Sequence, residues 1–285
     1  MIKLTNLNQK SALVTGGSSG IGLATACLLA SKGANVYILA RRKEYLSTAL
    51  EKIKSAANRE EQTFGSIEAD VGDENAVNSA IQNLIHTAGV PDLLINSAGV
   101  AQPGYIQEID MKVFRWMMEV NFFGTVQVIK SLLPGMMERG SGYIVNISSM
   151  AGYLGVFGYS AYGASKYAVR GFSDVLRAEM KPHGIGVSLV FPPDTETPQL
   201  AYEEQFKPDE TKALTESGGR MSPEEVARAI VKGIEKGRYL ILPGGENKIF
   251  YHLNNLLGGT VFSVMDGMIS NAQKKKSKTE QAKNK

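Results

Sequence analysis

Seven short apolar runs alternate with helix-period segments from residue 11 to about 243, and nothing else in the chain limits its fold so strongly. The strand candidates are 12–15, 36–39, 66–70, 93–96, 143–147, 187–191 and 239–242. Several are apolar almost throughout, such as Leu13-Val14 or Val187-Ser188-Leu189-Val190-Phe191. Strands covered on both faces read this way, and they belong to parallel sheets. Helical patterns fall between them near 21–31, 44–57, 74–87, 112–138, 164–180 and 223–236. In the fifth, Ala164, Ala168, Phe172, Val175 and Leu176 form an apolar stripe at helical spacing. Such alternation means right-handed βαβ crossovers and a doubly wound α/β sheet of about seven parallel strands, with helices on both faces. Residues 1–245 are expected to form this one domain, and 246–285 a C-terminal amphipathic segment with a lysine-rich tail.

Ligands of such sheets bind outside the carboxyl ends of the strands, so chemistry is sought there. The first run ends in Thr15-Gly16-Gly17-Ser18-Ser19-Gly20-Ile21-Gly22 and leads directly into a helix pattern. Glycines at 16, 20 and 22 permit a tight turn and close approach to a pyrophosphate, and the helix behind supplies unpaired N–H groups. The spacing is Gly-x-x-x-Gly-x-Gly, weak as a bare string but specific after the first strand of an α/β chain. A Rossmann-type dinucleotide site is expected, with Gly16, Ser18, Ser19, Gly20, Ile21 and Gly22 against the cofactor. The second run ends in Ala40-Arg41-Arg42, where an NAD binder would carry an acid for the ribose 2′-hydroxyl. A guanidinium suits a 2′-phosphate, so NADP(H) is the expected cofactor, with Arg41 as first choice and Arg42 as second.

Composition removes other chemistries. The single cysteine, Cys27, reads as a small helix hydrophobe in a reducing cytoplasm, and His86, His183 and His252 lack ligand spacing, so no metal is expected. The formal charge of +3 is misleading: residues 273–285 hold six lysines and one glutamate, leaving the remainder at −2. The basic excess is a tail, so no nucleic acid partner is expected. Residues 1–10 lack the pattern of a signal peptide.

Tyr162 and Lys166 stand four apart at the start of a helix and so share a face. An ammonium about 4 Å from a phenol contributes on the order of 4 kcal/mol at an effective dielectric of 20, enough to draw the phenol toward neutrality. Thirteen residues earlier, Ser149 follows the fifth strand, placed to hold a carbonyl oxygen; Ser148 is expected to bond backbone instead. Asn96-Ser97-Ala98-Gly99 ends the fourth strand, where small residues admit a cofactor ring. Asp70 and Val71 close the third on the adenine side. Asn121 interrupts an apolar helical stretch, where a polar group needs a purpose.

Over residues 10 to about 245 the chain resembles the short-chain dehydrogenase/reductases. It carries their Thr-Gly-x-x-x-Gly-x-Gly loop at Thr15 to Gly22, and their Asn-Asn-Ala-Gly motif at Asn96 to Gly99 with Ser97 replacing the second Asn. Their Asn-Ser-Tyr-Lys tetrad maps onto Asn121, Ser149, Tyr162 and Lys166. The resemblance implies a tyrosine that protonates the carbonyl oxygen as hydride arrives, a lysine on the nicotinamide ribose, and an asparagine that helps hold a relay water. It also implies cofactor contacts from Asn96, Ala98, Gly99, Pro192, Thr195 and Thr197, and a homodimer or homotetramer paired through the helices at 112–138 and 164–180.

Where the family has Pro-Gly-x-x-x-Thr, this chain has Pro192-Pro193-Asp194-Thr195-Glu196-Thr197-Pro198. That loop, with residues 151–162 and 167–171, is similar to one branch, the 3-ketodihydrosphingosine reductases, which implies an NADPH-dependent reduction of a long-chain 3-keto base. Tyr153, Leu154, Val156, Phe157, Tyr202 and Phe206 could line a path for the acyl tail, with a packed core as the alternative for all six, and Asp194 or Glu196 could meet its ammonium. The segment 249–270 is apolar but interrupted by His252, Asn254, Asn255, Gly258, Gly259 and Asp266, which argues against a spanning helix. It suits peripheral contact with the cytosolic face of a membrane, a lipid path to the site, a lid, or a subunit contact. A reductase of another ketone, such as a 3-oxoacyl thioester or steroid, and a non-catalytic NADP sensor remain as competing functions.

Overall fold

In the computed structural model, which describes residues 2–215 and 219–283, seven parallel strands form one sheet in the order β3-β2-β1-β4-β5-β6-β7. They are β1 Ser11–Thr15, β2 Asn35–Ala40, β3 Phe64–Glu68, β4 Leu93–Asn96, β5 Gly142–Ile147, β6 Ile185–Val190 and β7 Leu240–Ile241. The helices are α1 Gly20–Ser31, α2 Lys43–Ser55, α3 Glu74–Ala88, α4 Met111–Met117, α5 Gly124–Arg139 and α6 Ser160–Met180. They continue with α7 Pro198–Glu203, α8 Asp209–Thr215, α9 Pro223–Glu235, α10 Gly245–Leu257 and α11 Thr260–Lys283. The strand order reverses between β1 and β4, which opens a crevice at their carboxyl ends.

The near-continuous apolar strands are covered on both faces, as expected. Leu29, Leu46, Ile53 and Ile230 of α1, α2 and α9 close one face over Val14, Ile38 and Ile95. Val77, Ile81, Ile129, Leu132 and Leu176 of α3, α5 and α6 close the other over Leu13, Leu39 and Leu94. Helix α9 shows how firmly local sequence fixes an end: Ser222 and Glu225 form a reciprocal capping box, with Pro223 at the first helical position.

Three expectations change. The single helix expected over 112–138 is α4 and α5 joined by a π-helical segment, Met118–Phe123, centred on Asn121. A π-bulge widens the turn and frees a polar residue from the regular ladder, and such bulges concentrate at functional sites. Helix α6 starts at Ser160, so Tyr162 and Lys166 lie in its opening turns. Its apolar stripe faces the core only in part: Leu176 is buried and Phe172 packs on the core, but Ala164 and Val175 are exposed, while Tyr162, Ser165, Lys166, Val169 and Ser173 are buried. Polar residues occupy the inner face because each is bonded there; the Ser173 hydroxyl donates to the Val169 carbonyl and accepts from the Asn146 amide.

The C-terminal segment forms α10 and α11, and among the described residues no helix is long and apolar enough to cross a membrane. Residues 284 and 285 of the lysine-rich tail, and the side chains from 275 onward, lie outside the described residues.

Candidate active site

Gly16 and Gly20 both adopt φ near +60°, a conformation that side chains resist, and together they bend the chain from β1 into α1. A Cβ on Gly16 would stand 2.8 Å from the backbone of Ala98, so the phosphate loop and the turn after β4 touch directly. Thr15 braces that contact, its hydroxyl accepting from the N–H groups of Ser97 and Ala98 at 3.2 Å. Thr197 caps α7 through the Leu200 N–H, and its methyl lies 3.0 Å from where a Gly20 Cβ would be. Three loops thus meet over one crevice.

The crevice opens into a cavity of roughly 1030 Å³, at the upper end of the about 300–1,000 Å³ usual for ligand sites. One end is lined by Gly16, Ser18, Ser19, Gly20, Ile21, Arg41, Arg42, Asp70, Val71, Ala98 and Gly99. Gly22 and Asn96 are not in the lining. A Cβ on Gly22 would collide with the Gly16 carbonyl, so that glycine serves helix-to-loop packing. The Asn96 amide is buried and donates to Asn146 at 2.9 Å, tying β4 to β5. At the rim, Arg41 faces Asp70 at 3.5 Å and Arg42 lies 4.0 Å over the Tyr45 ring. The Arg41 contact is exposed and weak, so its guanidinium is free to turn to a stronger anion. The glycine cradle, the α1 N-terminus and two cationic side chains fit a phosphorylated dinucleotide.

At the cavity's centre stand Ser149, Tyr162 and Lys166. The Tyr162 hydroxyl faces Ser149 and Gln199, whose polar groups favour its ionised form. Lys166 donates to the Ile147 carbonyl at 3.1 Å, with its ammonium 5.6 Å from the Tyr162 ring centre. Burial and then Glu203 push the Tyr162 pKa above its ordinary value, contrary to the downward pull expected from Lys166. The reason lies in the lysine itself, which burial lowers to about 8. An ammonium so desolvated, and bonded to a carbonyl, cannot offset the cost of an ionised phenol in the same dry site.

Ser148 bonds backbone, donating to the Lys166 carbonyl at 3.0 Å. Asn121 lies behind the lining: its amide accepts from the Val100 N–H at 2.8 Å and donates to the Val100 carbonyl and the Ser165 hydroxyl, both at 2.9 Å. It ties the turn after β4 to α6, one layer beneath the reacting group. Pro192, Thr195 and Thr197 line the cavity on the β6 side.

The expected substrate residues separate. Leu154, Val156 and Tyr202 line the cavity, whereas Phe206 and Phe157 do not. Tyr153 is a core residue: its ring packs edge-on against Phe191 and Tyr251, and its hydroxyl donates to Asn247 at 2.7 Å. Asp194 is in the lining, but its carboxylate is 3.9 Å from the buried Lys207. Several lining residues escaped the sequence reading. Glu203 and Gln199 flank the phenol, and Phe250, Leu253, Leu257, Val261, Val264 and Met268 of α10 and α11 roof the apolar end. Helix α10 is pinned in place by Asn247, which donates to the Phe191 carbonyl, and Asn254, which donates to that of Tyr153.

Comparison with known proteins agrees with this geometry. Residues 10–207 match the family described as short chain dehydrogenase. A 3-dehydrosphinganine reductase of Danio rerio is 38% identical over 269 residues, covering 93% of this chain and 80% of its own. Among solved structures, a short-chain dehydrogenase from Streptomyces avermitilis is 30% identical with a TM-score of 0.76, over 95% of this chain and 99% of its own. L-Sorbose reductase from Gluconobacter frateurii, complexed with NADPH and L-sorbose, is 25% identical with a TM-score of 0.72, over 84% and 97%.

Proposed function

The chain belongs to the short-chain dehydrogenase family, and from that premise we propose that it is an NADPH-dependent reductase of 3-ketosphinganine, giving sphinganine. The observation that carries the reading is one cavity holding Ser149, Tyr162 and Lys166 in the middle, a phosphate cradle at one end and an apolar roof at the other.

The α1 N-terminus and the N–H groups of the Gly16–Gly20 turn hold the pyrophosphate, and Arg41 holds the 2′-phosphate. Ala98 and Gly99 give the ring of the cofactor a surface without side-chain bulk, and Thr195 and Thr197 face its amide. When bound, the dinucleotide supplies hydride to the carbonyl carbon. Ser149 donates to the carbonyl oxygen, and the Tyr162 phenol delivers the proton there. Its raised pKa suits this direction, because the phenol keeps its proton until it is needed. Lys166 contributes positive charge beneath the nicotinamide ribose, and Asn121 fixes the turn and helix that frame the centre. The acyl tail runs from Leu154 and Val156 beneath α10 and α11.

Two surfaces complete the reading. The outward apolar face of α10 and α11, including Leu256 at 82% exposure and Ile249 at 61%, makes peripheral contact with a membrane. Ala164, Val175 and Phe123, exposed on α6 and the π-helical segment, form the contact between two copies of the chain.

Purified protein with NADPH is expected to convert 3-ketosphinganine to sphinganine faster than it reduces a 3-oxoacyl thioester or a steroid ketone, followed by product mass. Preference for either of the other ketones would transfer the assignment to it. Arg41→Ala is expected to raise the KM for NADPH about tenfold or more, the scale of one charge-assisted phosphate contact, while leaving that for NADH nearly constant. Equal changes in both would remove Arg41 as the 2′-phosphate ligand.

A further inference from the structure

We propose that Glu203 is the anion that receives the substrate's ammonium group, making the site selective for ketones that carry a primary amine on the neighbouring carbon. This rests on the reading above of a reductase acting on a sphingoid base.

Three acids gather at this wall, and their charges are balanced differently. Glu204 pairs with Lys207 at 2.8 Å and Arg220 at 3.3 Å, and Asp194 faces the same Lys207 at 3.9 Å. Glu203 is 6% exposed and lines the cavity, yet its hydrogen-bond partners are neutral: the Tyr159 hydroxyl at 2.7 Å and the Gln199 amide at 2.9 Å. Among the described residues no ion pair reaches it. A buried carboxylate balanced only by dipoles costs several kcal/mol against a paired one, and that cost is relieved when a cation arrives. Burial holds the Glu203 pKa up, with the Gln199 and Tyr159 hydrogen bonds and then the more distant Lys207 charge only partly opposing it.

The position of this acid relative to the reacting phenol selects the cation. Gln199 donates to Glu203 at 2.9 Å and also stands beside the Tyr162 phenol, so a single amide side chain lies between phenol and carboxylate. An α-amino ketone spans the same two anchors, keto oxygen on Tyr162 and ammonium on Glu203. A metal ion would need several oxygen ligands, and the described residues contain no such group. The same placement links recognition to chemistry. Glu203 raises the pKa of Tyr162 and favours the charged form of Lys166. An ammonium seated on Glu203 cancels that field at the moment the ketone is in place.

The test uses the cavity's own probe: Trp116, the single tryptophan, is in the lining. Its fluorescence reports binding of dodecylamine and dodecan-1-ol to the NADP-loaded protein. Wild type is expected to bind the amine at least about 30-fold more tightly. Glu203→Gln is expected to remove that preference by about 30-fold or more, the scale of losing one partner of a desolvated charge pair. Tyr159→Phe, which keeps the charge, retains it. Equal affinity of wild type for amine and alcohol overturns the proposal without any variant, as does an unchanged ratio in Glu203→Gln. The functional reading fails separately: amine preference without turnover of 3-ketosphinganine sinks the reaction and leaves Glu203, whereas turnover with no amine preference does the reverse.

Discussion

Tyr162→Phe is expected to lower kcat for ketone reduction about a thousandfold while NADPH still binds. The substitution keeps the ring, its packing 5.6 Å from the Tyr159 ring, and the volume of the site. What it removes is the proton donor, and positioned proton transfer contributes roughly 10²- to 10⁴-fold. The neighbouring phenol cannot take over, because Tyr159 is committed to Glu203 at 2.7 Å. The pH profile separates the two titrating groups. Tyr162 is shifted upward, so it stays protonated through neutrality and beyond. Lys166 is shifted downward to about 8, charged below that pH and neutral above it. Reduction by wild type should therefore begin to fall near pH 8, and the fall belongs to the lysine. Stopped-flow measurement of NADPH oxidation checks both points. A Tyr162→Phe rate within tenfold of wild type would move the proton donor elsewhere.

The sheet was legible because its inner strands β1, β4, β5 and β6 are buried on both faces; the edge strand β3, with Ser66 and Glu68 exposed, starts two residues before the expected run. Leu93 to Asn96 was placed to the residue, since a wholly apolar run stops abruptly at a polar side chain. Strand β6 began two residues earlier than expected because Gly186 breaks the apolar run; there the Tyr143 ring fills the place of its side chain. The inner face of α6 was missed for a related reason. An apolar stripe normally marks the core, but Ser165, Lys166 and Ser173 are buried with their hydrogen bonds satisfied, while Val175 is left outside. The Ser149, Tyr162 and Lys166 constellation was readable from spacing after a strand. Glu203 was not: nothing in the string Tyr202-Glu203-Glu204 distinguishes the inward carboxylate from its neighbour, and only packing of the short α7 decides between them. Tyr153 erred the other way. Its partner Asn247 lies 94 positions along the chain, just before the segment 249–270, in which Asn254 read as an interruption and is instead a second pin of α10.

Those pins lead to the second large effect. Replacing Leu253 and Leu257 together by Asp is expected to raise the KM for a long-chain 3-ketone about 200-fold. The same ketone shortened to four or five carbons should change by only a few-fold. Both side chains lie on the cavity face of α10, at 43% and 47% exposure, so charge there is tolerated by the fold. Surface changes of this kind shift stability by about 0.5 kcal/mol or less. The carboxylates keep water in the roof and remove the dry surface on which the tail lies. Each methylene buried contributes about 0.8 kcal/mol, so losing cover over four of them amounts to roughly 3 kcal/mol. Chain length is the deciding variable, because a distorted catalytic centre would slow short and long ketones alike. An equal rise in KM for both lengths would show that α10 shapes the centre and does not hold the tail. Sedimentation with anionic vesicles reads the membrane contact separately: Ile249 and Leu256 lie outside the cavity lining, so replacing those two by Asp should reduce vesicle binding and leave the chain-length dependence unchanged.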